Sequence, residues 1–138
     1  MKVLVAVDGS PTSLKAVQHV VRLFSGALQL TLINAHPDEH LSRFAATVGK
    51  DAVEGYLSDM YTADLKDSKA WLDAKHIRYD VMLGRGSPVQ TVADSASEGM
   101  FDLVVIGSKG RNSVADLVIG SMVTRLVAVS KVPVLVVT

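Results

Sequence analysis

The residues of this chain best suited to chemistry lie in "GSKGRNSVADLVIGS", residues 107–121. Gly107 and Gly110 are separated by two residues, Gly110 and Gly120 by nine, and Ser121 follows directly. The apolar run "LVVI" stands just before them. Glycine lacks a Cβ, so Gly107 and Gly110 can adopt positive φ and let a ligand approach the main chain. Gly120 and Ser121 fall where a helix should begin. A helix start offers unsatisfied N–H groups and the positive end of the dipole. Such a place can cradle a phosphate, with the Ser121 hydroxyl as a further donor. The spacing is not that of a Walker A loop or of the dinucleotide fingerprint. Glycine spacing by itself leaves a plain structural loop open beside the phosphate cradle. Val114 to Ile119, inside the nine-residue interval, read as a segment that packs the loop down.

Asp8, in "VAVDGSP", is the acidic candidate. It can cap the following turn, as Asp commonly does. It can also accept from a ribose hydroxyl or help hold a divalent ion beside phosphates. Lys109 and Arg111 are the basic residues of the glycine stretch. Arg111 reads as solvated surface charge, whereas Lys109, between two glycines, is placed either for solvent or for a ligand phosphate. Ser10 and Ser13 have no histidine in sequence context to activate them, and Ser10 suits a helix N-cap. His36 and His40 share i, i+4 spacing but lack a third ligand of metal-site pattern. Trp71, Tyr56 and Tyr61 read as packing residues, since no basic interleaving suggests a nucleic-acid platform.

Alternating elements must position these groups. Val3 to Val7 is a continuous apolar run, as in a strand buried on both faces. After Ser10 and Pro11, Leu14, Val17, Val20, Val21 and Phe24 recur at helical spacing, and Gly26 closes the element. Leu28 to Ala35 predicts the second strand. Residues 36–50 predict a loop, long enough to be functional. Asp51 to Ala74 predict one long helix. Arg78 to Leu83 alternate by two, as in a strand near a sheet edge. Ser87 and Pro88 then open a helix that ends at Gly99, and "DLVVIG" predicts a buried strand. A last helix carries Met122, Val123, Leu126 and Val127, and Val132 to Val137 is the final strand.

The order β-α-β-α-β-α-β-α-β argues for one domain, residues 1–138, with a parallel sheet covered by helices on both faces. Ligands of such sheets bind at the carboxyl ends of the strands, where the strand order reverses. Asp8 and the glycine stretch fall on that same edge. The chain carries 14 basic and 14 acidic residues and no cysteine. A balanced charge disfavours nucleic acid and anionic membrane as partners. Without cysteine, there is no disulfide or thiolate site. The opening apolar run is too short for a signal segment, and a soluble cytoplasmic protein is expected.

Gly107-x2-Gly110-x9-Gly120-Ser121 resembles the signature of ATP-binding universal stress proteins. "VLVAVDGSP", "GRGSP" and "VPVLVV" are similar to that family's first strand, its turn before the third helix and its last strand, so the resemblance covers the whole chain. It implies a flavodoxin-like, five-stranded parallel sheet of order 3-2-1-4-5, with ATP (or ADP or AMP) between strands one and four. It places Asp8 by the ribose or phosphates, with Ala6 and Val7 beside it, and Ala35 against adenine through its backbone. Ile106, Gly107, Lys109 and Gly110 would line the ribose and phosphate side. Gly120, Ser121 and Met122 would hold phosphates, and Met122 departs from the family's common valine. A divalent ion, Mg2+ or Mn2+, could accompany the phosphates beside Asp8. The expected function is regulatory nucleotide binding in stress response, with at most weak ATP hydrolysis, because no general base or arginine finger is evident. The alternative is a ligand-free dimeric interaction module of the same fold. "VPVLVV" would be an apolar edge strand, which invites pairing with a second copy, so a homodimer through Val132 to Val137 is expected.

Overall fold

The computed structural model describes residues 1–37, 39–110 and 119–138, the side chains of residues 39–42 and 44 excepted. Five parallel strands form one sheet: β1 (Lys2–Ala6), β2 (Gln29–His36), β3 (Asp80–Arg85), β4 (Leu103–Gly107) and β5 (Val134–Val137). Their order is β3-β2-β1-β4-β5. β1 lies at the centre, with Ala6 beside Ile33 of β2 and Val5 beside Val105 of β4. The chain winds outward from β1 first through β2 and then through β4. The order therefore reverses beside β1, and the two strand ends diverge into a crevice.

Side chains alternate across the sheet, and the two faces bury two cores. Val3, Val5 and Val7 point with Leu30 and Leu32 towards α1 (Pro11–Leu23) and α3 (Lys50–Ala74). Leu4, Ala6, Ile33, Val104 and Ile106 meet α4 (Pro88–Glu98) and α5 (Ser121–Val129) on the opposite face. Leu4, Leu32, Leu72 and Leu126 are fully buried. Burying one such side chain contributes about 1.5–3 kcal/mol relative to exposure.

The expected loop at residues 36–50 is instead mostly helical: α2 spans Glu39–Val48. Leu41, Phe44, Ala45 and Val48 recur at helical spacing, and Ala45 packs against Val53 and Leu57 of α3. Pro37 precedes the helix, and Gly49, with φ of 93°, turns the chain into α3. Strand β3 begins two residues later than its alternation suggests, because its ladder runs from Asp80 opposite Thr31 to Arg85 opposite His36. Strand β5 is shorter than the apolar run, since Pro133 lacks an N–H to donate. Among the described residues no helix is long and apolar enough to cross a membrane.

Candidate functional site

The crevice beside β1 opens into a cavity of about 740 Å³ at the carboxyl ends of the strands. That volume is in the range of small-molecule sites. Ala6, Val7 and Asp8 enter it from the end of β1, and Ala35 from the end of β2. Ile106 and Gly107 close β4, with Lys109 and Gly110 just beyond. Gly120, Ser121 and Met122 come from the start of α5. Every residue singled out for a ligand in the sequence thus lines one cavity.

The motif glycines do not use the positive φ open to them. Positive φ occurs at Gly9, Gly26, Gly49 and Gly86, and not at Gly107, Gly110 or Gly120. Gly107 is small because α1 lies against it: a Cβ there would sit 2.8 Å from Thr12 Cγ2 and 3.0 Å from the Thr12 carbonyl. At Gly110 a Cβ would come within 3.1 Å of Asp8 Oδ2. The first glycine admits a helix, and the second admits a carboxylate. Arg111 and residues 114–118 lie outside the described residues. Ile119, at the far end of that stretch, is 55% exposed and lines the cavity, so it does not pack the loop down.

The start of α5 is shaped to receive an anion. Gly120 is its N-cap, with extended backbone and no side-chain cap bond. The Gly120 N–H donates to the Ser108 carbonyl at 2.8 Å, and the Ser108 N–H donates to Val137 at 2.8 Å. These bonds fix the helix start to the ends of β4 and β5. Intrahelical bonding begins with the Thr124 N–H donating to Gly120 at 3.3 Å. The N–H groups of Ser121, Met122 and Val123 precede it and have no intrahelical acceptor. All three residues border the cavity. The helix dipole adds a favourable potential for negative charge, about 0.3–2 kcal/mol.

Asp8 serves the turn and the cavity together. Its Oδ1 accepts from the Ser10 N–H at 2.9 Å, while Oδ2 lies against Gly110. Ser10 is the N-cap of α1, accepting from the Ser13 N–H at 3.1 Å, and Ser13 Oγ donates back to the Ser10 carbonyl at 3.0 Å. These hydroxyls are committed to the helix start. Ser87, by contrast, occupies the N-cap of α4 without a side-chain cap bond.

One polar group was missed in the sequence. Asn34, His36 and Asp64 line the β2 side of the cavity. Asn34 and Asp64 are 2% and 3% exposed. Asn34 Nδ2 donates to the Val7 carbonyl at 2.6 Å and to Asp64 Oδ2 at 3.2 Å. His36 Nε2 lies 3.1 Å from Asn34 Oδ1 and 2.9 Å from Asp64 Oδ2. Tyr61 meets the imidazole edge-on, with ring centroids 5.2 Å apart, and donates its hydroxyl to the Gly84 carbonyl at 2.6 Å. Two signals were available. Asn34 interrupts an apolar strand, and Asp64 lies on the buried stripe of α3 with Val53, Leu57, Ser68 and Leu72. His36 is engaged here, and the side chain of His40, four residues on, lies outside the described residues. Trp71 packs against the core as expected, whereas Tyr56 is 52% exposed.

The cavity thus has a backbone-donor end at α5 and a buried polar end at β2, with apolar walls from Ile33, Met60, Val92 and Met122. Known proteins share the fold that carries it. The universal stress protein Rv1636 of Mycobacterium tuberculosis is 28% identical over 141 residues, covering 98% of this chain and 94% of its own. The solved structure of hypothetical protein MJ0577 matches with a TM-score of 0.81 at 20% identity, over 99% of this chain and 94% of that one. A universal stress protein solved in complex with cAMP matches at 0.67 with 23% identity, over 100% and 96% of the two chains. One from Archaeoglobus fulgidus, solved in complex with dAMP, matches at 0.69 with 17% identity, over 100% and 98%. These structures establish the shared fold, and the sequence profile of the Universal stress protein family matches residues 1–138 in full: the chain belongs to that family.

Proposed function

We propose that this protein is a regulatory binder of adenine nucleotides, ATP or its shorter relatives ADP and AMP, acting in stress response rather than as a dedicated catalyst. The observation that carries the reading is the start of α5, where Ser121, Met122 and Val123 border a cavity at the switch of strand order. Phosphates bind there through backbone N–H groups and the helix dipole. Because these donors are backbone, methionine in place of valine at position 122 is tolerated. Asp8 and Lys109 flank the phosphates and ribose, and Ala35 faces the base. The universal stress proteins solved with cAMP and dAMP support an adenine nucleotide as the ligand class. A divalent ion, Mg2+ or Mn2+, would take most of its oxygens from the phosphates and water, with the Asp8 carboxylate beside it. Among the described residues no cluster of three or more His, Asp or Glu would hold one alone. The protein acts as a homodimer through β5.

Thermal unfolding with and without Mg-ATP tests the reading. A ligand at 100 times its dissociation constant stabilises the folded state by about 2.7 kcal/mol. A clear rise in Tm is expected, and Gly120→Val, which places a branched side chain at the helix start, should abolish it. No shift with millimolar ATP or AMP would overturn the proposal in favour of a ligand-free interaction module.

A further inference from the structure

The buried polar group at the end of β2 has a fixed proton arrangement. Asn34 Nδ2 faces two acceptors, the Val7 carbonyl at 2.6 Å and Asp64 Oδ2 at 3.2 Å. The amide is therefore oriented with Oδ1 towards His36. His36 Nε2 then faces two acceptors of its own, Asn34 Oδ1 at 3.1 Å and Asp64 Oδ2 at 2.9 Å. A ring nitrogen between two acceptors carries the proton. In the neutral ring the other nitrogen, Nδ1, is left with its lone pair.

Among the described residues Nδ1 has no hydrogen-bond partner. Among the described residues no buried side-chain nitrogen or oxygen lacks one, so Nδ1 is not sealed from solvent. The side chain is 13% exposed, and it lines the cavity. Tyr61 fixes the tilt of the ring from one side. The result is a rigid hydrogen-bond acceptor at the β2 side of the cavity. The helix start that suits an anion lies on the β4 side, two strand spacings or about 10 Å away. A ligand spanning both would carry an anion at one end and an N–H donor at the other.

The geometry points to His36 as a specificity-determining residue: its Nδ1 accepts from the exocyclic amine of adenine and selects 6-aminopurine over 6-oxopurine nucleotides. This rests on the adenine-nucleotide reading above and adds the atom that distinguishes the base. Asp64 and Asn34 are positioning residues, which hold the proton on Nε2. A 6-oxo group would set a lone pair against the lone pair of Nδ1, leaving both unpaired in a partly buried site.

Calorimetric titration with AMP, purine riboside monophosphate (no 6-substituent) and IMP, at mildly alkaline pH, tests this. The wild-type protein should bind AMP about tenfold more tightly than purine riboside monophosphate, and IMP more weakly still. In His36→Phe the advantage of AMP over purine riboside monophosphate should fall to about twofold or less. A nitrogen-15 imidazole spectrum of the wild-type protein gives a readout that does not depend on the variant folding. It should show His36 protonated at Nε2, with the Nδ1 resonance moving on addition of AMP and not of purine riboside monophosphate. A proton on Nδ1, or an unchanged AMP preference in His36→Phe, would overturn this inference while leaving nucleotide binding intact. Failure of all three nucleotides to bind would overturn both.

Discussion

Gly107 shows how one residue type can answer to two demands. Its position at the end of a buried strand suggested room for a ligand, yet the absent Cβ is filled by Thr12 of α1. The glycine brings α1 down onto the sheet beside the cavity, which positions Asp8 and Ser13 in its wall. Spacing alone shows that a residue must be small, and not what presses against it. The two serines that open helices show the same limit. "GSP" occurs before both α1 and α4, but only Ser10 caps through its side chain. Ser10→Ala should therefore destabilise the fold by about 1 kcal/mol. Ser87→Ala should change stability by less than about 0.5 kcal/mol. Urea unfolding of the two variants checks this; equal losses would show that the caps do not differ.

At the level of elements, the buried strands were the most legible. β1 and β4 lie between two helical layers, so both faces are apolar and each reads as an unbroken run. α2 was not legible as a helix. It is only ten residues long and follows a proline, and its contact with α3 through Ala45 is not visible in the sequence. β5 poses a different question. It is the outer strand of the sheet, and Val134, Leu135 and Val136 are only partly buried. An apolar edge of this kind is an aggregation hazard unless it is paired. The proposed two-fold pairing of β5 with its copy satisfies the open backbone groups and covers the side chains. Sedimentation at micromolar concentration should give a dimer, and Val136→Lys should give a monomer. A monodisperse wild-type monomer would contradict the pairing.

For the molecule as a whole, alternation of strand and helix was enough to set the class of fold, and the order 3-2-1-4-5 came from the family resemblance. The cavity's glycine side was readable because its signal is local: the end of the strand, the glycines and the helix start fall within residues 107–121. The Asn34–His36–Asp64 side was not, because its contacts join residues up to 30 positions apart through the packing of α3 on β2. The proposed adenine nucleotide therefore spans both sides of β1, from the helix start at α5 to the buried polar group at the end of β2. Backbone amide NMR during titration with AMP tests this most directly. The amides of Ser121, Met122 and Val123 and that of Ala35 should shift together along one saturable curve, with those of Gly107 and Gly110 following. No saturable change at millimolar AMP, or changes confined to residues outside the cavity, would contradict it.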